Sequence, residues 1–153
     1  MTVRRATPQD ADALVRLRAA MFAAMGQDPG PDDAAWRVAA AGWSAAAAED
    51  ESVVIAVAEE PGTGVVASAM AVLLPRAPSP EDVSSASAHV SQVSTLPGHR
   101  RRGHAHACLR LLLEELDRLG VVRADLHATA DGERLSRALG FTEPAFRALR
   151  RRA

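Results

Sequence analysis

Three arginines, a glycine and a histidine in succession, Arg100-Arg101-Arg102-Gly103-His104, stand at the join between two strongly patterned stretches. Before them, Val90, Val93 and Thr95 set β-branched residues into a strand that breaks at Pro97-Gly98. After them, Ala105, Cys108, Leu109, Leu112, Leu113, Leu116 and Leu119 recur at helical spacing, with Arg110, Glu114, Asp117 and Arg118 on the other side. A strand that feeds a basic, glycine-containing turn into a helix N-terminus is a device for holding phosphate. The first-turn N–H groups have no helical partner, and the helix dipole adds about 0.3–1 kcal/mol at an exposed site, about 2 when partly buried. Gly103 removes a side chain where a ligand would approach the backbone. Taken alone, the arginine run also reads as a solvated basic turn.

The residues around that turn carry a family resemblance. Arg100-Arg101-Arg102-Gly103-His104-Ala105 resembles the (Q/R)-x-x-G-x-(G/A) loop of the GNAT superfamily of acyl-CoA-dependent N-acyltransferases, and Val93-x-Thr95-x-Pro97 resembles the strand end leading into it. Gly132-Glu133-Arg134-Leu135-Ser136-Arg137-Ala138-Leu139-Gly140-Phe141 is similar to the second signature, G-x-x-L-Y-x-x-L-G-F, with one substitution. The resemblance runs from about Ala88 to Phe146. It implies that backbone groups of Val93, Ser94 and Thr95 pair with the pantetheine arm of acetyl-CoA. It implies too that the amides from Arg100 through Arg101, Arg102, Gly103 and His104 to Ala105 cradle the pyrophosphate.

Acetyl transfer from a thioester to an amine also requires that the ammonium lose a proton and that the thiolate leave. In the family a side-chain base often lies on the central strand, four or two residues before the position of Val93. Those positions are His89 and Ser91 here, and strand alternation places both on one face with Val93 and Thr95. An imidazole can accept a proton directly or through water, so His89 is the expected base. A lone strand histidine is otherwise a structural residue, and His127 on the next strand competes for the role. Ser136 occupies the position of the family tyrosine, in a chain that contains no tyrosine. An aliphatic hydroxyl can donate a hydrogen bond to the departing sulfur but is far too weak an acid to match a phenol of pKa ~10. His99, His104 and His106 lie in or beside the phosphate loop, away from the amine. Cys108 falls on the apolar helix face and reads as core. No His, Cys or carboxylate set has ligand-like spacing, so no metal site is expected.

These groups need a scaffold. The 153 residues suffice for one domain with a full core, 1–153. Of them 48% are hydrophobic but only 3% aromatic, so Leu, Val and Ala must build that core. The net charge of −1 offers no global field for nucleic acid. The basic end, Arg147, Arg150, Arg151 and Arg152, has no interleaved aromatics and reads as a solvated edge. One cysteine suits a reducing compartment. There is no secretory pattern at the start and no apolar run of membrane-spanning length. The expected setting is the cytoplasm, with no membrane or nucleic-acid partner.

In order, Thr2 to Ala6 is a short edge strand, and Thr7-Pro8-Gln9-Asp10 is a helix start. That helix runs to about Met25, burying Leu14, Leu17, Met21 and Met25. A second helix opens at Asp32-Asp33 and sets Trp36 and Trp43 on one face, either against the sheet or with one lining an acceptor pocket. Ser52 to Glu59 and Val65 to Leu74 form a hairpin around Pro61-Gly62-Thr63-Gly64. Pro75 to Ala86 is an unpatterned loop, a mobile flap or plainly flexible. The central strand and long helix follow. Val121 to Thr129 is a strand, Asp131 to Leu139 a short helix, and Phe141 to Leu149 a last strand. The expected fold is mixed α/β, a mostly antiparallel GNAT-like sheet flanked by helices in the order β-α-α-β-β-β-α-β-α-β.

The resemblance implies an N-acetyltransferase that moves acetyl from acetyl-CoA to a primary amine, small molecule or peptide, by direct attack in a ternary complex. The alternative is a degenerate GNAT domain that binds acyl-CoA without turnover, as a sensor or interaction module. A phosphate- or nucleic-acid-binding module is the weakest reading. Asp28, Asp32, Asp33, Glu49, Asp50 and Glu51 hint at a cationic acceptor. The identity of the acceptor and the oligomeric state, a homodimer included, stay open.

Overall fold

The computed structural model describes residues 1–153. Five strands form one sheet in the order β1-β2-β3-β4-β5. They are β1 (Thr2–Arg5), β2 (Val53–Glu60), β3 (Gly64–Pro75), β4 (Ala86–Thr95) and β5 (Ala124–Leu126). The first four are antiparallel neighbours, and β5 joins β4 in parallel. Helices α1 (Ala11–Ala24) and α2 (Ala35–Ala47) follow β1, α3 (His104–Arg118) links β4 to β5, and α4 (Ala130–Ala138) follows β5. No helix is long and apolar enough to cross a membrane.

The sheet separates two apolar layers. On one side Ala56, Ala58, Ala67, Ala69, Ala71 and Ala88 form a nearly flat surface on which Leu109, Leu112 and Leu116 of α3 sit, all essentially inaccessible. Alanine on the strands and leucine on the helix fill the gap without aromatics, and this is where the alanine of the composition goes. Truncating Leu112 to Ala would cost about 2–5 kcal/mol. On the other side Val53, Ile55, Val57 and Met70 meet Leu14 of α1 and Ala47 of α2.

The start of α1 is fastened to the sheet. A short 3-10 turn, Pro8–Asp10, precedes it. The Asp10 carboxylate accepts from the Thr7 backbone N–H at 2.7 Å and from both terminal nitrogens of Arg4 at 2.8 and 3.0 Å. Arg4 also donates to Glu59 on β2. Leu14 and Leu17 are buried as expected, joined by Val15 and Ala19. Met25 is instead half-exposed, because the last turn of α1 lies in solvent before Gly26 ends it at φ +81°.

The tryptophans are not both packed against the sheet. Trp36 meets the edge of Phe22 on α1, centroids 5.6 Å apart, and its Nε1–H donates to the Pro29 carbonyl. Trp43 is half-exposed and lines a narrow cleft. Nor is the 75–86 connection featureless: Asp82 accepts from Arg76 at 2.7 Å and from the Ser84 N–H at 2.9 Å, which pins it.

The expected strand from Phe141 to Leu149 does not form, so the chain order ends at α4. Phe141, Phe146 and Leu149 differ in parity and cannot share one strand face, and Pro144 removes a ladder donor. Only Phe141 packs on the core; Phe146 and Leu149 are exposed. Likewise β5 spans three residues rather than the nine expected from Val121 to Thr129.

Candidate functional site

Two features of β4 build the site. The first is an irregularity: Met70 pairs with Ser91 but Ser68 pairs with Ser94, so β4 carries an extra residue there. Gln92, with φ +52°, occupies the bulge. The Gln92 carbonyl accepts from Ser68 Oγ at 3.3 Å, and Ser94 Oγ donates to the Leu17 carbonyl of α1 at 2.9 Å. The bulge flips the alternation. His89, Ser91 and Ser94, opposite Val72, Met70 and Ser68, share the face under α1 and α2. Val93 and Thr95 go with Val90 and Ala67 to the α3 face. The expectation that His89 and Ser91 share a face with Val93 and Thr95 is therefore corrected, and Ser94 takes their side instead.

The second feature is a split. β5 pairs only with Ala88, His89 and Val90. From Ser91 to Thr95, β4 has no strand neighbour on that edge, and a linear polar group can lie along it as a further strand would.

The loop after β4 continues this edge. A 3-10 turn spans Pro97–His99, Arg101 and Gly103 take left-handed conformations at φ +60° and +83°, and α3 begins at His104. His99 N–H closes on Leu96 O and Ala107 N–H on Gly103 O, while the backbone N–H groups from Arg100 through His106 donate to no protein acceptor. That is a continuous run of free donors at the positive end of a fifteen-residue helix. A Cβ built on Gly103 meets nothing within 4 Å, so the loop is open on that side. Arg100, Arg101 and Arg102 are all exposed beside it.

The loop is braced from β2 by a residue that the sequence does not single out. Glu60 accepts from His104 Nε2 at 2.6 Å, His99 Nδ1 at 2.9 Å and Arg102 at 3.3 Å. Desolvation pushes the Glu60 carboxyl upward, but the hydrogen bonds from His104 and His99 and the charge of Arg102 outweigh it and hold the group below its ordinary range.

The remaining expected residues divide between two clefts. The narrow one lies on the His89 face, lined by Leu14, Trp43, Ser44, Ile55, Ser68, Met70 and Gln92; Ser68 and Gln92 belong to the bulge and Ser44 to α2, and the cleft is too tight to hold a water molecule. The wider one, about 1140 Å³, lies between β5, α4 and the C-terminal segment and holds both His127 and Ser136. His127 reaches back to His89, ring edge to ring face at 5.5 Å. Ser136 is buried and its Oγ donates to the Gly132 carbonyl one turn back, so its proton is engaged within α4. Burial pushes the Cys108 thiol up to about 12, as suits a core residue. Among the acidic residues, Asp28 and Asp50 accept from the N–H groups of Gly30 and Ser52, which gives both a turn-forming role.

The geometry has clear relatives. Residues 2–142 match the family model described as Acetyltransferase (GNAT) domain. The structure superimposes on a GCN5-related N-acetyltransferase from Ralstonia eutropha JMP134 with TM-score 0.81 and 25% identity, over 97% of each chain. A predicted acetyltransferase with acetyl-CoA from Clostridium acetobutylicum gives TM-score 0.81 at 19% identity, over 97% of this chain and 95% of that one. A ribosomal-protein-alanine N-acetyltransferase from Brucella melitensis biovar Abortus 2308 gives 0.69 at 16%, over 99% of each. A search of curated proteins finds no match.

Proposed function

The chain belongs to the GNAT acetyltransferase family, and from that premise we propose that it transfers acetyl from acetyl-CoA to a primary amine by direct attack in a ternary complex. The observation that carries the reading is the unbroken run of unpaired N–H groups from Arg100 to His106, which begins one 3-10 turn after the unpartnered edge of β4. These donors suit a diphosphate, and the free edge from Ser91 to Thr95 suits the amide-containing pantetheine arm, which would then point its thioester toward the Gln92 bulge.

The acceptor approaches over α1 and α2, where Trp43 is half-exposed. Its nitrogen, as the free amine, attacks the thioester carbonyl; the C–N bond forms and the C–S bond breaks. The ammonium proton passes to His89, directly or through Ser91 and water, before the attack; CoA leaves as the thiolate, which then takes up, through water, the second proton that the nitrogen sheds as the amide forms. Ser136 supplies at most a hydrogen bond, so the leaving group departs without a strong acid. General acid assistance is typically worth about 10²–10⁴-fold, so its absence slows turnover without abolishing it. A protein working in this way needs neither membrane nor nucleic acid and fits the cytoplasm.

The engaged hydroxyl of Ser136 also favours a second reading, in which the domain binds acyl-CoA without turnover. Thiol release from acetyl-CoA over a broad amine panel, with calorimetric CoA binding in parallel, separates the two. Amine-dependent release supports the transferase; tight CoA binding with no release on any amine supports the binding domain.

A further inference from the structure

Glu60 ends β2, His99 closes the 3-10 turn and His104 opens α3, and their carboxylate oxygen, Nδ1 and Nε2 atoms all lie within 4.8 Å of one another. We propose that Glu60, His99 and His104 bind a divalent transition-metal ion, zinc on the chemistry of the donors, at the foot of the Arg100–Ala105 loop. Two imidazole nitrogens and one carboxylate oxygen are a borderline donor set that zinc takes at about 2.0–2.2 Å from each atom. The site stands whether or not the chain transfers acetyl groups, and it revises the expectation of no metal.

His104 carries the argument. Its side chain is 4% exposed, so water cannot complete its hydrogen bonding. Nε2 faces Glu60 Oε1 at 2.6 Å, and Nδ1 faces Met1 Sδ at 2.8 Å. Both neighbours are acceptors, yet a neutral imidazole has one N–H. A cation between Nε2 and the carboxylate resolves this. Nδ1–H then donates to the sulfur, as the outer ring N–H of a metal-bound histidine donates to an acceptor behind it, and Nε2 gives its lone pair to the ion. A second ring proton is the competing solution, and the experiment distinguishes them.

The other groups fit an ion. His99 Nδ1, 2.9 Å from Glu60 Oε2, supplies the third donor. Arg102, 3.3 Å from Glu60, opposes a cation, but its side chain is 57% exposed and is free to turn into solvent. Tetrahedral bonds of about 2.0–2.1 Å set neighbouring donors about 3.3 Å apart, so an ion would open the 2.6 Å contact by about 0.7 Å and the 2.9 Å contact by about 0.4 Å, and draw the two imidazole nitrogens, now within 4.8 Å, together. Glu60 and His99 are partly exposed, which leaves water a fourth position. The bound ion would tie both ends of the loop to β2.

The test is calorimetric titration of zinc chloride into the tag-free, chelator-treated full chain, with thermal melts alongside. One ion should bind per chain with Kd at or below about 10 µM and raise the melting temperature. Because His104 is buried, the partly exposed ligands are the ones to change. Glu60→Gln and His99→Ala, each checked for fold by circular dichroism, should weaken zinc about 10–100-fold; His106→Asn, exposed on α3, should not. No uptake by the wild type would leave the ring proton as the answer and overturn the site. Uptake of wild-type strength in both variants would overturn it as well, by placing the ion elsewhere.

Discussion

The imidazole rings of His89 and His127 stand edge to face, their centroids 5.5 Å apart and their planes 73° from parallel. The two residues that competed for one proton are thus neighbours, with His89 on the ladder opposite Asp125 and His127 just beyond the end of β5. His89 lies on the face of the Gln92 bulge, whereas His127 is exposed in the wider cleft. If His89 takes the amine proton, kcat/KM has an acid limb that His89→Gln removes, with kcat lowered by about 10²–10⁴-fold and CoA affinity unchanged. His127→Gln should keep the limb. Profiles with acceptors of different basicity separate the enzyme's ionisation from the amine's. A limb that survives His89→Gln and vanishes in His127→Gln would transfer the role to His127.

Gly103 offers a test of the loop. Its φ of +83° costs an L-residue about 1–2 kcal/mol, yet a Cβ there meets no protein atom. Gly103→Val should fold with that loss of stability and bind CoA at least about tenfold more weakly, a change of about 1.4 kcal/mol or more. Gly120→Val, at φ +73° just past the far end of α3, controls for strain: similar destabilisation, CoA binding retained. Equal CoA affinity in both variants would move the diphosphate away from this loop.

A third prediction concerns the clamp at the start of α1. Hydrogen bonds from Arg4 hold the Asp10 carboxyl below its usual range; burial opposes them, and the Thr7 N–H assists. A folded-state pKa below the unfolded value means the group's contribution is fully present above about pH 4, the unfolded value, and is lost as pH falls through the folded one. Asp10→Asn should therefore cost about 1.5–3 kcal/mol near neutrality, with the gap to wild type closing only in acid. Urea unfolding of both proteins at neutral and acid pH measures it. A gap that stays constant into acid would mean that the carboxylate's charge is not what the clamp uses.

What the sequence could disclose follows from locality. The Arg100–Ala105 turn and the α3 stripe are contiguous patterns, and their elements formed where periodicity placed them. The bulge is carried by Gln92, a residue with no special preference for positive φ, so simple alternation assigned Val93 and Thr95 to the wrong face. The 141–149 segment holds Pro144 and apolar residues of both parities, so neither its composition nor its alternation supports the strand that the expected order placed there. Glu60 meets His99 and His104 across 39 and 44 residues, a separation that motif spacing does not register. Elements set by a local pattern were legible; the contacts closed by the sheet were not.

The last prediction addresses the substitution that most sets this chain apart from its family's pattern. Ser136 Oγ gives its proton to the Gly132 carbonyl at 3.1 Å, so a departing thiolate would have to compete for it. Ser136→Ala removes a hydrogen bond worth about 0.5–1.5 kcal/mol but places the best helix former mid-helix, and the two changes nearly cancel. Stability should stay within about 1 kcal/mol of wild type, and turnover should change by less than about threefold, far short of the 10²–10⁴ of a working acid. Ser136→Tyr sets a phenol of pKa ~10 in the cleft that His127 shares, and turnover should rise. A loss of several hundredfold in a folded Ser136→Ala would show instead that this hydroxyl leaves Gly132 during the reaction and serves the sulfur.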